Sequence, residues 1–122
     1  MIQLLCHLVG DYMLQSHVMA TRKTTNLRWA IIHALTYGLP FLALLPSLSA
    51  WLVIVGTHAL IDRYAVARRW CQWYGVGFPG LWWRGTAEDF QAPPPFLGVW
   101  LVIIVDNTMH LAINFASLRW LP

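Results

Sequence analysis

The chain has 122 residues, 58% of them hydrophobic and 11% charged, with a formal net charge of +3 and a mean hydropathy of +0.54. A soluble domain usually carries about 25% charged residues, and a domain this small cannot hide so much apolar surface inside itself. The composition therefore excludes an ordinary soluble domain and points to lipid as the outer solvent, and no soluble basic face is evident for a nucleic acid.

Four apolar stretches follow in chain order, from about Met1 to Ala20, Trp29 to Pro46, Ala50 to about Ala67, and Phe96 to Leu121. Each approaches the roughly 17–25 residues that a spanning helix needs. The first lacks a basic leader and is interrupted by Asp11, unlike a signal peptide. Pro40 should kink the second helix, which a membrane bundle tolerates. The expectation is an all-α, polytopic bundle of about four transmembrane helices, forming a single domain over residues 1–122.

Between helices three and four lies a connection from about Arg68 to Pro95 that carries Trp70, Trp73, Tyr74, Phe78, Trp82 and Trp83. Aromatic rings of this kind suit the headgroup layer, so the segment reads first as a Trp-rich interfacial loop and second as a lid. Arg22, Lys23 and Arg28 lie between helices one and two, and Arg63, Arg68, Arg69 and Arg84 lie at the end of helix three and beyond it. The positive-inside rule then places both of these connections in the cytoplasm and both termini outside it. On that topology Cys6 and Cys71 lie toward opposite faces, which disfavours a disulfide.

The informative residues are those that hydropathy should have excluded. Three of the four aspartates have a histidine four positions away, in His7/Asp11, His58/Asp62 and Asp106/His110. Four residues is about one helical turn, so each pair shares a face. Gln3, His7, Asp11 and Gln15 extend one polar stripe, Asp106, His110 and Asn114 another, and helix two offers His33 with Tyr37 one turn on. At about 1.5 Å per residue from the cytoplasmic ends, His33 and Asp62 fall near 8–9 Å, Asp11, His58 and Asp106 near 15 Å, and His7 and His110 near 21 Å. One intramembrane site can collect all seven. His17 lies off the stripe and reads as an interfacial histidine.

Ionisable groups in a span are expensive and mark function by default. Imidazoles and carboxylates without thiolates suit zinc first, then manganese or iron, and facing helices are a standard way to gather them. The expected metal ligands are His7, Asp11, His33, His58, Asp62, Asp106 and His110, with Asp11, Asp62 and Asp106 shared between ligation and general-base catalysis. Seven groups exceed one closed shell, which fits an open catalytic ion or a two-metal centre. Arg63 and Arg68 stand where an anionic headgroup or phosphate would be gripped. A proton or ion relay and a purely structural polar core are the competing readings.

At HLVGDYMLQ (His7 to Gln15), IIHALTYGLPF (Ile31 to Phe41), HALIDRY (His58 to Tyr64) and WLVIIVDNTMHLAINFASLRWL (Trp100 to Leu121), the chain resembles the domain of unknown function 3307 family, small integral membrane proteins of bacteria and phages. The resemblance extends over nearly the whole chain and implies a four-helix membrane domain with no established activity. More loosely, the His/Asp layout is similar to that of inner-membrane metal-dependent hydrolases, an analogy that does not fix function. The first expectation is thus a metal-dependent hydrolase in the bacterial inner membrane, multi-pass, acting on a lipid or phosphoester. Its partners would be the bilayer and a further copy of itself, with no nucleic acid. The alternatives are a non-enzymatic ion- or proton-binding channel or carrier, and a phage or host membrane interaction protein.

Overall fold

The computed structural model describes residues 1–81, 83–86, 88–89, 91 and 94–122. Among the described residues every regular element is helical. The chain divides into two compact units, Met1–Tyr64 with His110–Pro122, and Ala65–Met109.

In the first unit, α1 (Ile2–Leu8) runs into a single π turn, Val9–Met13. The chain then breaks. Ser16 is extended at φ −74° and accepts a hydrogen bond from the Met19 amide at 3.3 Å, so it caps a new short helix, α2 (His17–Arg22). The first apolar stretch is therefore not one spanning helix, contrary to expectation, because a serine cap restarts the helix where hydropathy sees continuity. Asn26 caps α3 (Leu27–Gly38) through the Arg28 amide. Pro40 enters a 3-10 segment, Pro40–Leu44, that prolongs α3. Ser47 caps α4 (Leu48–Arg63) through the Ala50 amide.

The first unit is inverted relative to a soluble domain. Its interior holds His7, Asp11, His33, His58, Asp62, His110, Asn114 and Ser117, while Leu5, Ile31, Ile32, Leu35, Leu39, Leu52 and Leu60 face outward. Beside the polar layer lies a small apolar cluster of Cys6, Tyr37, Phe41 and Ile54. Two glycines let the helices close on it. A Cβ on Gly10 would lie 2.6 Å from the Tyr37 carbonyl oxygen, and one on Gly38 would lie 2.5 Å from the Val55 side chain. Trp51 seals the α3–α4 contact by donating its indole N–H to the Gly38 carbonyl at 2.9 Å.

In the second unit, α5 (Val66–Tyr74) buries Ala67 and Cys71 and exposes Trp70, Trp73 and Tyr74 on its other face. The expected loop thus begins as a helix, and Trp82 lies outside the described residues. Gly75, at φ 99°, ends α5 by donating to the Cys71 carbonyl at 2.9 Å. Both cysteines are free thiols. The last helix, α6 (Pro95–Trp120), is continuous for 26 residues, about 39 Å at 1.5 Å per residue. His110 and the residues after it count with the first unit.

Among the described residues two stretches are long and apolar enough to cross a membrane, Leu27–Leu44 and Pro95–Trp120, and a third exists if Leu48–Arg63 and Val66–Tyr74 make one broken crossing. Two or three of the four expected spans thus meet this length and hydropathy requirement.

Candidate metal centre

Four side chains from three segments of the first unit converge. The π turn after α1 brings Asp11, α3 brings His33, and α4 brings His58 and Asp62 one turn apart. All four are buried, and their ligand atoms lie within 4.8 Å of one another. Gly10 permits this, because the turn that carries Asp11 must touch the α3 backbone. Single π turns of this kind occur often at functional sites, where the extra residue re-aims a side chain.

The distances are specific. His33 Nε2 lies 3.1 Å from Asp11 Oδ1 and 3.2 Å from Asp62 Oδ2. His58 Nε2 lies 3.7 Å and 3.2 Å from the same two oxygens. The two Nε2 atoms are 3.0 Å apart. Four donors at about 2.0–2.1 Å from one tetrahedral ion stand about 3.3–3.4 Å from one another. The five edges bracket that value.

Hydrogen bonding alone does not account for the cluster. A ring nitrogen has one bonding direction, either a proton or a lone pair, yet His33 Nε2 has four polar neighbours: Asp11, Asp62, His58 and, at 3.3 Å, Lys23 Nζ. Asp62 Oδ2 is buried, and among the described residues no donor meets it in hydrogen-bonding geometry. Lys23 Nζ nevertheless stands 2.8 Å from that oxygen and 3.7 Å from Asp11 Oδ1. Electrostatic attraction of a cation, which has no strict direction, explains what directed hydrogen bonds do not.

A second tier surrounds the first. Tyr37 stacks on the His58 ring at 3.6 Å and 8°. Its hydroxyl oxygen accepts from Asn114 Nδ2 at 2.5 Å and lies 2.9 Å from His7 Nδ1. His110 Nδ1 lies 3.3 Å from His58 Nδ1, and His110 Nε2 is 3.9 Å from Asp62 Oδ1. His58 thus offers Nε2 to the centre and Nδ1 to a supporting ring, the arrangement that fixes the tautomer of a metal-ligating histidine.

Of the seven expected ligands, the structure joins Asp11, His33, His58 and Asp62 in one shell. His7 is buried beside the shell, with its Nδ1 2.9 Å from the Tyr37 hydroxyl. His110 also packs on the shell through His58. Asp106 is half-buried, one turn before His110 on α6, and belongs to the second unit. His17 is exposed. Arg63 donates to the Thr24 carbonyl, so that guanidinium is partly engaged already. Arg68 instead lines a cavity of about 470 Å³ in the second unit with Phe78, Val99, Val102 and Ile103. Sequence reasoning uses Lys23 only as an orienting charge. The available signal was its solitude, since it is the one lysine among eight basic residues.

No curated protein matches the chain, and no solved structure does. The sequence pattern of one family matches residues 1–78, which include the whole four-residue shell but not the block from Trp100 to Leu121. Through that match the chain belongs to the family described as "Protein of unknown function (DUF3307)".

Proposed function

We propose that the shell of Asp11, His33, His58 and Asp62 holds a divalent metal ion and that the protein is a membrane-embedded, metal-dependent hydrolase. The near-tetrahedral spacing of the four ligand atoms, 3.0–3.7 Å along the five edges given above, carries this reading. Two carboxylates and two neutral imidazoles suit zinc first, with manganese or iron as alternatives. A bound ion would supply Lewis acidity toward an ester oxygen or a water. Asp11 or Asp62 would share ligation with proton acceptance, and Asp106 is assigned as a further base from its spacing to His110. Arg68, beside an apolar cavity, favours an amphiphilic anion such as a lipid phosphoester as substrate. The site would lie in the cytoplasmic half of the bacterial inner membrane, on the side of Arg22, Lys23 and Arg28.

The deciding experiment is elemental analysis of detergent-purified protein before any metal is added, followed by turnover of a chromogenic phosphodiester. Stoichiometric metal that disappears in His33→Leu/His58→Leu, with turnover disappearing in parallel, supports the hydrolase. Metal-free wild-type protein that binds neither zinc nor manganese removes it.

One observation favours a second reading. Lys23 already supplies a cation to both carboxylates, so the cluster can stand as a metal-free ion-pair core. Such a core suits a proton- or ion-binding carrier, or a membrane interaction protein. Proton or ion flux through metal-free protein in vesicles would select that reading.

A further inference from the structure

The Lys23 ammonium stands over one face of the proposed tetrahedron. It is 2.8 Å from Asp62 Oδ2, 3.3 Å from His33 Nε2 and 3.7 Å from Asp11 Oδ1, three of the four ligand atoms. A dication held by those atoms would sit within one ligand's width of the ammonium, and the two charges would repel strongly in so dry a place. Charge counting agrees. Two carboxylates with one lysine and neutral imidazoles sum to −1, whereas two carboxylates with one dication sum to zero. Keeping both cations would leave +1 in a layer that water barely reaches, since Asp11, His33, His58 and Asp62 are all buried.

We propose that Lys23 and a divalent metal ion are alternative occupants of this centre, so that metal loading expels the lysine and an empty centre recaptures it. This inference rests on the metal reading above. The side chain is built for the exchange. Lys23 follows α2, in the short connection to α3, and its side chain is 16% exposed, against 5% and 4% for its two carboxylate partners. Its end can therefore swing to the surface on a flexible four-carbon stem while the ligands stay in place. A compact ammonium fits over the three atoms, where the planar fork of an arginine would not. That gives a physical reason for lysine here in a chain that uses arginine at its seven other basic positions. The metal-free core is thereby held together by its own counter-ion, which offsets part of its buried carboxylate charge.

Because Lys23 is the sole lysine, amine acylation followed by digestion and mass spectrometry reads this side chain directly. In detergent-purified wild type, the rate of Lys23 acylation should rise at least ten-fold when Co²⁺ or Zn²⁺ is bound, and it should fall again on chelation. Lys23→Met should bind Co²⁺ at least ten-fold more tightly in chelator competition, with the Co²⁺ visible spectrum unchanged in form. If Lys23→Met does not fold without metal, the wild-type acylation experiment decides alone. Stoichiometric metal binding with unchanged or slowed Lys23 acylation overturns the exchange and leaves the metal centre standing. Failure of the wild type to bind either ion overturns both.

Discussion

The two units solve opposite problems. The first turns polar groups inward and leucines and isoleucines outward, and Tyr37, Asn114 and the histidines brace one another around two carboxylates. Among its described residues the second buries only Ala67 and Cys71, on α5, and turns Trp70, Trp73 and Tyr74 outward. In lipid, apolar burial between helices contributes little driving force, so packing and polar contacts hold helices together. A polar layer as dense as that of the first unit is far more than such glue requires. The outward aromatics suit an interfacial anchor instead. One region gathers charge inside, and the other turns aromatic rings outward. Changes in the two should therefore have effects of different size and kind.

The largest effect is expected from stranding one charge of the first unit. Asp62→Asn removes the nearest partner of Lys23, 2.8 Å away, and an oxygen that faces both His33 and His58. Breaking a buried pair in this way costs about 3–5 kcal/mol. We expect metal-free Asp62→Asn to melt well below wild type in detergent with chelator. Replacing the charged set together, Asp11→Leu, His33→Leu, His58→Leu and Asp62→Leu with Lys23→Met, should restore folding while abolishing metal binding, since apolar substitution of a whole buried cluster is often neutral or better. A multiple variant that cannot fold would make the polar layer structural.

Next in size is Tyr37→Phe. The phenol oxygen is the meeting point of His7 and Asn114, and the ring covers His58. Removing the hydroxyl leaves two buried polar groups short of a partner, at a cost of about 1–3 kcal/mol. The stacking ring stays, so metal stoichiometry should hold while stability falls, as thermal unfolding with parallel elemental analysis would show. Loss of metal with unchanged stability would move Tyr37 from the supporting tier into the centre itself.

Much of this was legible in the chain, and the exceptions have physical causes. Helical content and the four residues of the shell follow from apolar length and from pairs spaced by one turn. His33 stood outside any such pair and was still found, because a histidine in an apolar helix needs an explanation. The break after Met13 was hidden, since a window of hydropathy cannot distinguish Ser16 as a cap from a serine within a helix. That break divides the first stretch into short helices, none long enough by itself to cross a membrane. Lys23 was missed because its role depends on a long side chain reaching back from a connection, which has no periodicity. Spacing puts His7 on the polar face but does not show which of its nitrogens meets Tyr37.

A topological comparison is independent of stability. Cys71 is fully buried, so a thiol reagent is best aimed elsewhere. Thr25 and Leu45 are both exposed and lie at opposite ends of Leu27–Leu44. In a Cys71→Ser background, Leu45→Cys should react with an impermeant reagent in intact cells and Thr25→Cys should not. The reverse pattern would place the metal centre in the outer half of the membrane.

The smallest effect on stability is expected from Trp83→Ala in the second unit. Trp83 is exposed, and its indole N–H donates to the Thr86 carbonyl at 3.0 Å. The turn beneath it has its own support, because the Thr86 amide and hydroxyl both donate to Asp89 Oδ2, at 2.9 and 2.6 Å. Those two donors hold the Asp89 carboxyl below its ordinary value of 3.8. A carboxyl depressed on folding contributes above its unfolded pKa and loses that contribution as pH falls through the lower folded value. The turn should therefore be intact at neutral pH and loosen only in acid, with or without the tryptophan. An exposed substitution of this kind usually stays within about 0.5 kcal/mol, so unfolding temperature and metal content should both match wild type. If the tryptophan borders the reaction as a lid, turnover of an amphiphilic phosphoester should change all the same. If it only anchors the unit at the interface, turnover in detergent should be unaffected, and the variant should differ from wild type only in how it partitions into vesicles. Loss of metal in Trp83→Ala would contradict the separation of the two regions, since the shell of Asp11, His33, His58 and Asp62 is drawn from the first unit alone.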